Sequence, residues 1–393
     1  MPTFRPMNPA VTRRHFLKSA ATAAAGAALA PPWLRAAGDP PGFSFVFLGD
    51  LHYDKLEHHD IAWLAKNHPA DRSQIENYTR ITRDIMPQLF ATVRATIAEH
   101  NQSAAAPIAF VLHAGDVVEG LCGSEELSVR QNAEALAFVR DAKLGVPFIF
   151  TKGNHDVTGD GAVAAFQRVF HPFLAEQARA ISPAATDIGG ARFTIDSGNA
   201  QFAFFDAYDA APSLEWLEAV ATRRTAEHFF AVIHPPVVPY GARSNWTVFA
   251  SDREKAKREK LLDLLAQQHA LVLGGHIHKF NSLARVTARG RFAQFAISSV
   301  INTPDAQPKM ELSGLKDYTP DQIRVEPQFS PDTAAVRRAI YEAERPFVKA
   351  FAYADLPGYA IVTVRGASVT AKMYSGVTRK LWRTVDLTGL LTS

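Results

Sequence analysis

Five apolar runs in this sequence end in the same way, and that regularity constrains the fold more than any other feature. Phe-Val-Phe-Leu-Gly runs into Asp50-Leu51-His52, and Phe-Val-Leu-His-Ala runs into Gly115-Asp116. Phe-Ile-Phe-Thr-Lys ends in Gly153-Asn154-His155-Asp156, Phe-Phe-Ala-Val-Ile ends in His234, and Leu-Val-Leu-Gly ends in Gly275-His276-Ile277-His278. Runs this short, apolar throughout and bounded by Gly, Asp and Asn, read as buried strands. Residues 202–205 read the same way. Between them, residues 74–100, 129–142, 213–223 and 252–269 carry helical spacing, so the alternation predicts α/β layers. Later, 282–287 with 291–298 and 359–365 with 368–374 read as paired strands. A helix is expected over 331–350, and 302–330, with several Pro and Asp, reads as a surface excursion.

Ligands of α/β sheets bind at the carboxyl ends of strands, and glycine lets the chain turn there without a Cβ in the way. The donors collected at those ends are Asp50, Asp116, Asn154, His52, His234, His276 and His278, with His155 beside them. Imidazole and carboxylate together suit Zn, Mn or Fe. A single ion rarely takes more than six protein ligands, and a catalytic one keeps positions open. Seven donors therefore predict two metals that share a carboxylate. In Asp50-Leu51-His52 and His276-Ile277-His278, alternate residues of an extended segment would face one way. His58, His59 and Asp60 read as a solvated loop. Tyr53, Lys152 and Tyr240 flank the motifs as either substrate contacts or packing. Cys122 is the sole cysteine, which excludes an intrachain disulfide and a cysteine-built zinc site, and it reads as inert.

The first 37 residues differ from the rest. They hold Arg5, Arg13, Arg14, Lys18 and Arg35 and no acidic residue, and Ser19 to Ala30 is small and apolar. That stretch is shorter than the ~20 residues a membrane span needs, and no cysteine lies near it, so no stable membrane anchor is expected. Arg13-Arg14-His15-Phe16-Leu17-Lys18 resembles a twin-arginine (Tat) export signal. The resemblance implies the Tat export machinery as a partner, cleavage near Ala37 or Gly38, and a periplasmic or secreted mature protein. It also changes the reading of charge. The whole chain has 42 Lys and Arg against 39 Asp and Glu, net +3. Without the five leader cations, 37 basic residues face 39 acidic ones, and no nucleic-acid partner is expected.

The ordered motifs from Asp50 to His278 resemble the calcineurin-like metallophosphoesterase superfamily. The resemblance implies an α/β fold of four layers, a β-sandwich flanked by helices (αββα). It places one divalent ion (Mn, Fe or Zn) on Asp50, His52, His278 and Asp116, and a second on Asp116, Asn154, His234 and His276. It further implies hydrolysis of phosphate mono- or diesters by a bridging hydroxide, with His155 as general acid and Asp156 orienting it. Glu119 stands where purple acid phosphatases carry a Tyr ligand, and Glu119-Gly120 lacks the Arg of Ser/Thr protein phosphatases. The domain expectation is a signal at 1–37, a catalytic domain at 43–300, and a C-terminal extension at 301–393, a helix plus a β-hairpin packing on that domain. A nuclease of the same superfamily and a non-catalytic metal-binding protein are the alternatives, and the oligomeric state is not legible.

Overall fold

The runs that end in Asp, Asn or His are strands in the computed structural model, which describes residues 42–392 except 104, 186, 187, 189 and 322–332. The export signal expected at residues 1–37 lies outside the described residues. In chain order the strands are β1 (Phe43–Leu48), β2 (Ile108–His113), β3 (Phe148–Phe150), β4 (Phe193–Ser197), β5 (Ala200–Phe205), β6 (His228–Ile233) and β7 (Leu271–Gly274). They continue as β8 (Phe280–Thr287), β9 (Gly290–Ala296), β10 (Glu311–Ser313), β11 (Val348–Ala354), β12 (Gly358–Arg365), β13 (Ser368–Ser375) and β14 (Leu381–Asp386).

They form two sheets. A six-stranded sheet has the order β14-β13-β12-β1-β2-β3, and an eight-stranded sheet has the order β10-β11-β8-β9-β7-β6-β5-β4. β1, β2 and β3 are mutually parallel, as are β5, β6 and β7. Strands such as β1 and β6 are buried along their whole length, which is why they lack the alternation of a half-solvated sheet.

The sheets face each other through phenylalanines. Phe45 on β1 meets Phe202 on β5 at 5.3 Å and Phe230 on β6 at 5.7 Å, both edge-to-face, while Phe110 on β2 meets Phe202 at 5.4 Å. All four rings are fully buried, worth about 2 kcal/mol each in apolar transfer. Helices cover the outer faces. Helices Arg72–Asp84, Met86–Ser103, Glu125–Asp141 and His171–Ile181 share the core of the first sheet. Ala210–Arg223 and Lys255–Gln267 share the core of the second. The result is the four-layer α/β sandwich expected. No helix among the described residues is long and apolar enough to cross a membrane.

The helical stretch read at 74–100 is two helices, broken at Ile85. Pro87, in the first turn of the second, cannot continue a preceding helix. The helix expected at 331–350 spans only Ala334–Glu344, and Val348 already begins β11. Pro346 accounts for this, because a helix seldom runs through the residue before a proline.

Residues 301–393 do more than lie against the catalytic domain as a helix and hairpin. β12 pairs antiparallel with β1 over six residues, and β11 pairs antiparallel with β8. The C-terminal strands thus enter both sheets. A buried charge cluster makes a further tie: Glu344 accepts from Arg258 Nη2 at 2.7 Å and from Arg285 Nε at 2.8 Å. Burial alone would raise the Glu344 carboxyl, but the two guanidinium groups together hold it below the usual range. Because the folded state prefers the ionised form, this stabilisation is complete above the unfolded glutamate pKa of ~4.3 and is lost as pH falls through the folded value. Glu344→Gln should therefore destabilise the protein by about 3 kcal/mol at pH 7. The gap should narrow below about pH 4, as read by denaturant unfolding at both pH values. An equal gap at both would contradict the assignment.

Candidate metal centre

Every strand that ends in a donor ends at the same edge of the sandwich. The first sheet delivers Asp50, His52, Asp116, Asn154 and His155, and the second delivers His234, His276 and His278. The structure brings all seven expected ligands together. Donor atoms of Asp50, His52, Asp116 and His278 lie within 4.8 Å of one another, and so do those of Asp116, His234 and His276. Asn154 joins the second group, with Oδ1 3.3 Å from His234 Nε2. Asp116 belongs to both groups.

The local backbone is strained to achieve this. His52, Asp116, His276 and His278 have φ of +51°, +57°, +71° and +58°, a region costly for any residue with a Cβ and one that clusters at functional sites. The left-handed residues take both three-residue motifs out of the extended conformation expected. Two glycines make room. A Cβ on Gly275 would stand 2.8 Å from Asp50 Oδ2, and one on Gly153 would collide with Asp116.

Hydrogen bonds set which nitrogen each ring presents. His52 Nδ1 donates to Glu119 Oε2 at 2.7 Å, and His234 Nδ1 donates to the Ala114 carbonyl at 2.7 Å. Both rings thus turn Nε2 toward the clusters, where His52 Nε2 lies 2.9 Å from His278 Nε2 and His234 Nε2 lies 3.0 Å from Asp116 Oδ2. Both contacts crowd acceptor atoms together, so a proton or a metal cation must lie between them. Asp50 Oδ2 is buried with no hydrogen-bond partner. Burial disfavours a charged His234, yet Asp116 and Asp50 outweigh it and push the imidazole up to about 9. Burial likewise drives His276 and His278 well down and Asp50 up to about 6. Buried anions that draw a proton onto imidazole would draw a divalent ion more strongly. By donor chemistry and placement, the residues fit two divalent ions.

His155 sits beside the centre, but its expected partner is different. The Asp156 carboxylate is occupied by backbone N–H groups: Asp116 at 3.1 Å, Val117 at 2.8 Å, Val118 at 3.2 Å and Gly153 at 2.8 Å. It ties the β2 and β3 loops together and does not orient the ring. His155 Nδ1 instead donates to the Glu119 carbonyl at 2.8 Å and lies 3.2 Å from the Glu119 carboxylate. Glu119 is fully buried, accepts from Gln74 Nε2 at 2.8 Å, and is pushed up to about 8 chiefly by burial. One residue therefore holds both His52 and His155.

A cavity of about 500 Å³ opens over the centre, lined by Asp116, Asn154, His155, His276 and His278, and by Gln74, Asn77, Tyr78, Arg243, Trp246 and Asn302. The latter six are not singled out by the sequence, because each lies in a helix or long loop without a motif. Arg243 stands 4.8 Å above the Trp246 ring, and Trp246 lies 5.4 Å from His276. The flanking residues resolve as packing or pairing: Tyr53 and Tyr240 are buried, and Lys152 pairs with Asp206. His58 and His59 are not solvated. Both are buried, His58 against Glu134 at 3.1 Å and His59 against Asp54 at 2.8 Å. Asp60 caps the next helix. The Cys122 thiol is buried and pushed up to about 12, too high to be a nucleophile.

No curated protein sequence matches this chain. Among solved structures, a purple acid phosphatase from yellow lupin (Lupinus luteus) seeds aligns at 11% identity and a TM-score of 0.49, covering 87% of this chain and 53% of the lupin chain. This chain thus spans about half the length of that protein. A dimetal phosphatase from Danio rerio aligns at 14% identity and a TM-score of 0.48 over 88% of this chain and 99% of its own. A structure of PhoD aligns at 14% identity and a TM-score of 0.47 over 90% and 70%. The sequence model of the calcineurin-like phosphoesterases matches residues 43–280, the span that carries all five strand-end motifs. With that match over more than half its length, the chain belongs to the calcineurin-like phosphoesterase family.

Proposed function

We propose that this protein is an exported phosphoesterase that works with two divalent ions and uses His155 as its general acid. The observation that carries the reading is the pair of donor groups joined at Asp116, with His155 beside them in one cavity. Asp50, His52, His278 and Asp116 would hold one ion, and Asp116, Asn154, His234 and His276 the other. When bound, such a pair supplies positive charge for the phosphoryl oxygens and an acidified water as nucleophile.

The protein's own residues do the rest. Glu119 fixes His52 by Nδ1, so its Nε2 is committed to the centre. The same residue takes up Nδ1 of His155, which leaves Nε2 as the atom that hands a proton to the departing alkoxide. Arg243 brings a further positive charge to the cavity wall and contributes to the lowering of His276 and His278. An anionic ester is drawn to such a site, and burial strengthens each contact. The leader residues 1–37 support export, since their paired arginines and absence of acidic residues fit a twin-arginine signal. A fold without disulfides, able to load its ions before transport, suits that route.

Three outcomes follow from this reading. His155→Ala should lower kcat about 10²- to 10⁴-fold with the metal content unchanged, by steady-state kinetics and elemental analysis; full activity would remove His155 from the proton transfer. Asp116→Ala should bind neither ion tightly, and a variant that still holds two would show that Asp116 does not bridge. Replacing Arg13 and Arg14 together by Lys should leave the precursor in the cytoplasm, as followed by fractionation. Unimpaired export of that variant would exclude the twin-arginine route.

A further inference from the structure

A second cleft of about 380 Å³ adjoins the cavity over the centre. The two share only Trp246 and His276, so they meet at the edge of the donor group formed by Asp116, His234 and His276. Their linings differ. The first carries His155 and the amides of Gln74, Asn77 and Asn302. The second joins Tyr208, Trp246, Pro235 and Phe249 to the polar Ser251 and the acidic Glu254, and no Lys or Arg is among the described residues that line it.

Aromatic rings frame this cleft at the centre itself. Tyr208 lies 6.4 Å from His234, His234 lies 5.0 Å from His276, and Trp246 lies 5.4 Å from His276, between ring centroids. Tyr208 Oη donates to Asn154 Oδ1 at 3.4 Å, which positions its ring over the candidate ligands. Tyr208 itself stays 38% exposed. An exposed tyrosine and a half-buried tryptophan beside a charged centre offer flat apolar faces.

We propose that the second cleft is the subsite for the retained ester arm of a phosphodiester, and that this arm ends in a flat aryl group. The inference rests on the two-ion reading above. The leaving oxygen must be reached by a proton donor, and His155 lines the first cleft alone, so the leaving alcohol occupies the first cleft. The other substituent then has the second cleft at the far side of the shared wall. A monoester has no such substituent and leaves the cleft unused. The cleft's lack of lining cations disfavours a second phosphate or carboxylate, and its rings favour a planar neutral group. In the reaction, the bond between phosphorus and the leaving oxygen breaks and a bond to the water oxygen forms. One water proton leaves the nucleophile, the departing alkoxide receives one from His155, and an aryl phosphate monoester remains.

The test uses the metal-loaded protein and three substrates with a common 4-nitrophenolate leaving group. Their retained substituent is phenyl, methyl or none. The expected kcat/KM for the phenyl diester exceeds that for the methyl diester by about tenfold or more. Trp246→Ala and Ala210→Phe, which respectively remove a wall of the second cleft and fill it, should each cut that ratio severalfold. A wild-type ratio near one, or a ratio that neither variant moves, overturns the proposal. Calorimetric binding of phenylphosphonate against methylphosphonate gives a readout without turnover, and equal Kd values would also overturn it. Failure of the two-ion reading looks different: it is absence of turnover for all three substrates with both ions in place.

Discussion

Two buried carboxylates facing two buried and two half-buried imidazoles set the terms for the rest of this molecule. Asp50 and Asp116 lie at the bottom of the sandwich edge with almost no exposure. Unpaired buried anions are costly, and imidazole nitrogens crowded against them add to the cost. A cation relieves both. Without one, the site draws a proton onto His234 as its substitute.

Holding these groups in place takes a second layer of contacts. Asp156 gathers four backbone N–H groups and clamps the loops after β2 and β3. Glu119 links His52, His155 and Gln74, so one ligand, the candidate acid and a cavity-lining amide share a single buried residue. The positive φ angles at His52, Asp116, His276 and His278 are stable only because sheets on both sides determine the backbone. Strain at the edge is offset by packing in the middle, where the phenylalanines of β1, β2, β5 and β6 interlock.

The strands before the donors were legible because buried parallel strands leave continuous apolar runs. The helix expected before β11 is too long, because Val348 to Ala354 alternates weakly and its partner β8 lies more than sixty residues earlier in the chain. β14 carries little sequence signal for a similar reason: its burial is partial and its pairing is with β13 at the sheet edge. Around the site, the resemblance implies Asp156 as the partner of His155, but backbone N–H groups take up its carboxylate. The polarity of His58 and His59 suggested solvent, whereas Asp54 and Glu134 supply the partners that let them be buried.

By itself the sequence determined the donor inventory, its order, and the rule that each donor follows a buried strand. Those facts are local, since side-chain chemistry and the punctuation of a strand by glycine are written within a few residues. Only the tertiary structure decided that Glu119 and not Asp156 holds His155, and that the C-terminal strands complete both sheets. It alone placed Tyr208, Arg243 and Trp246 around the centre. These depend on contacts between segments tens to hundreds of residues apart, and such contacts follow from packing the whole chain, not from any motif within it.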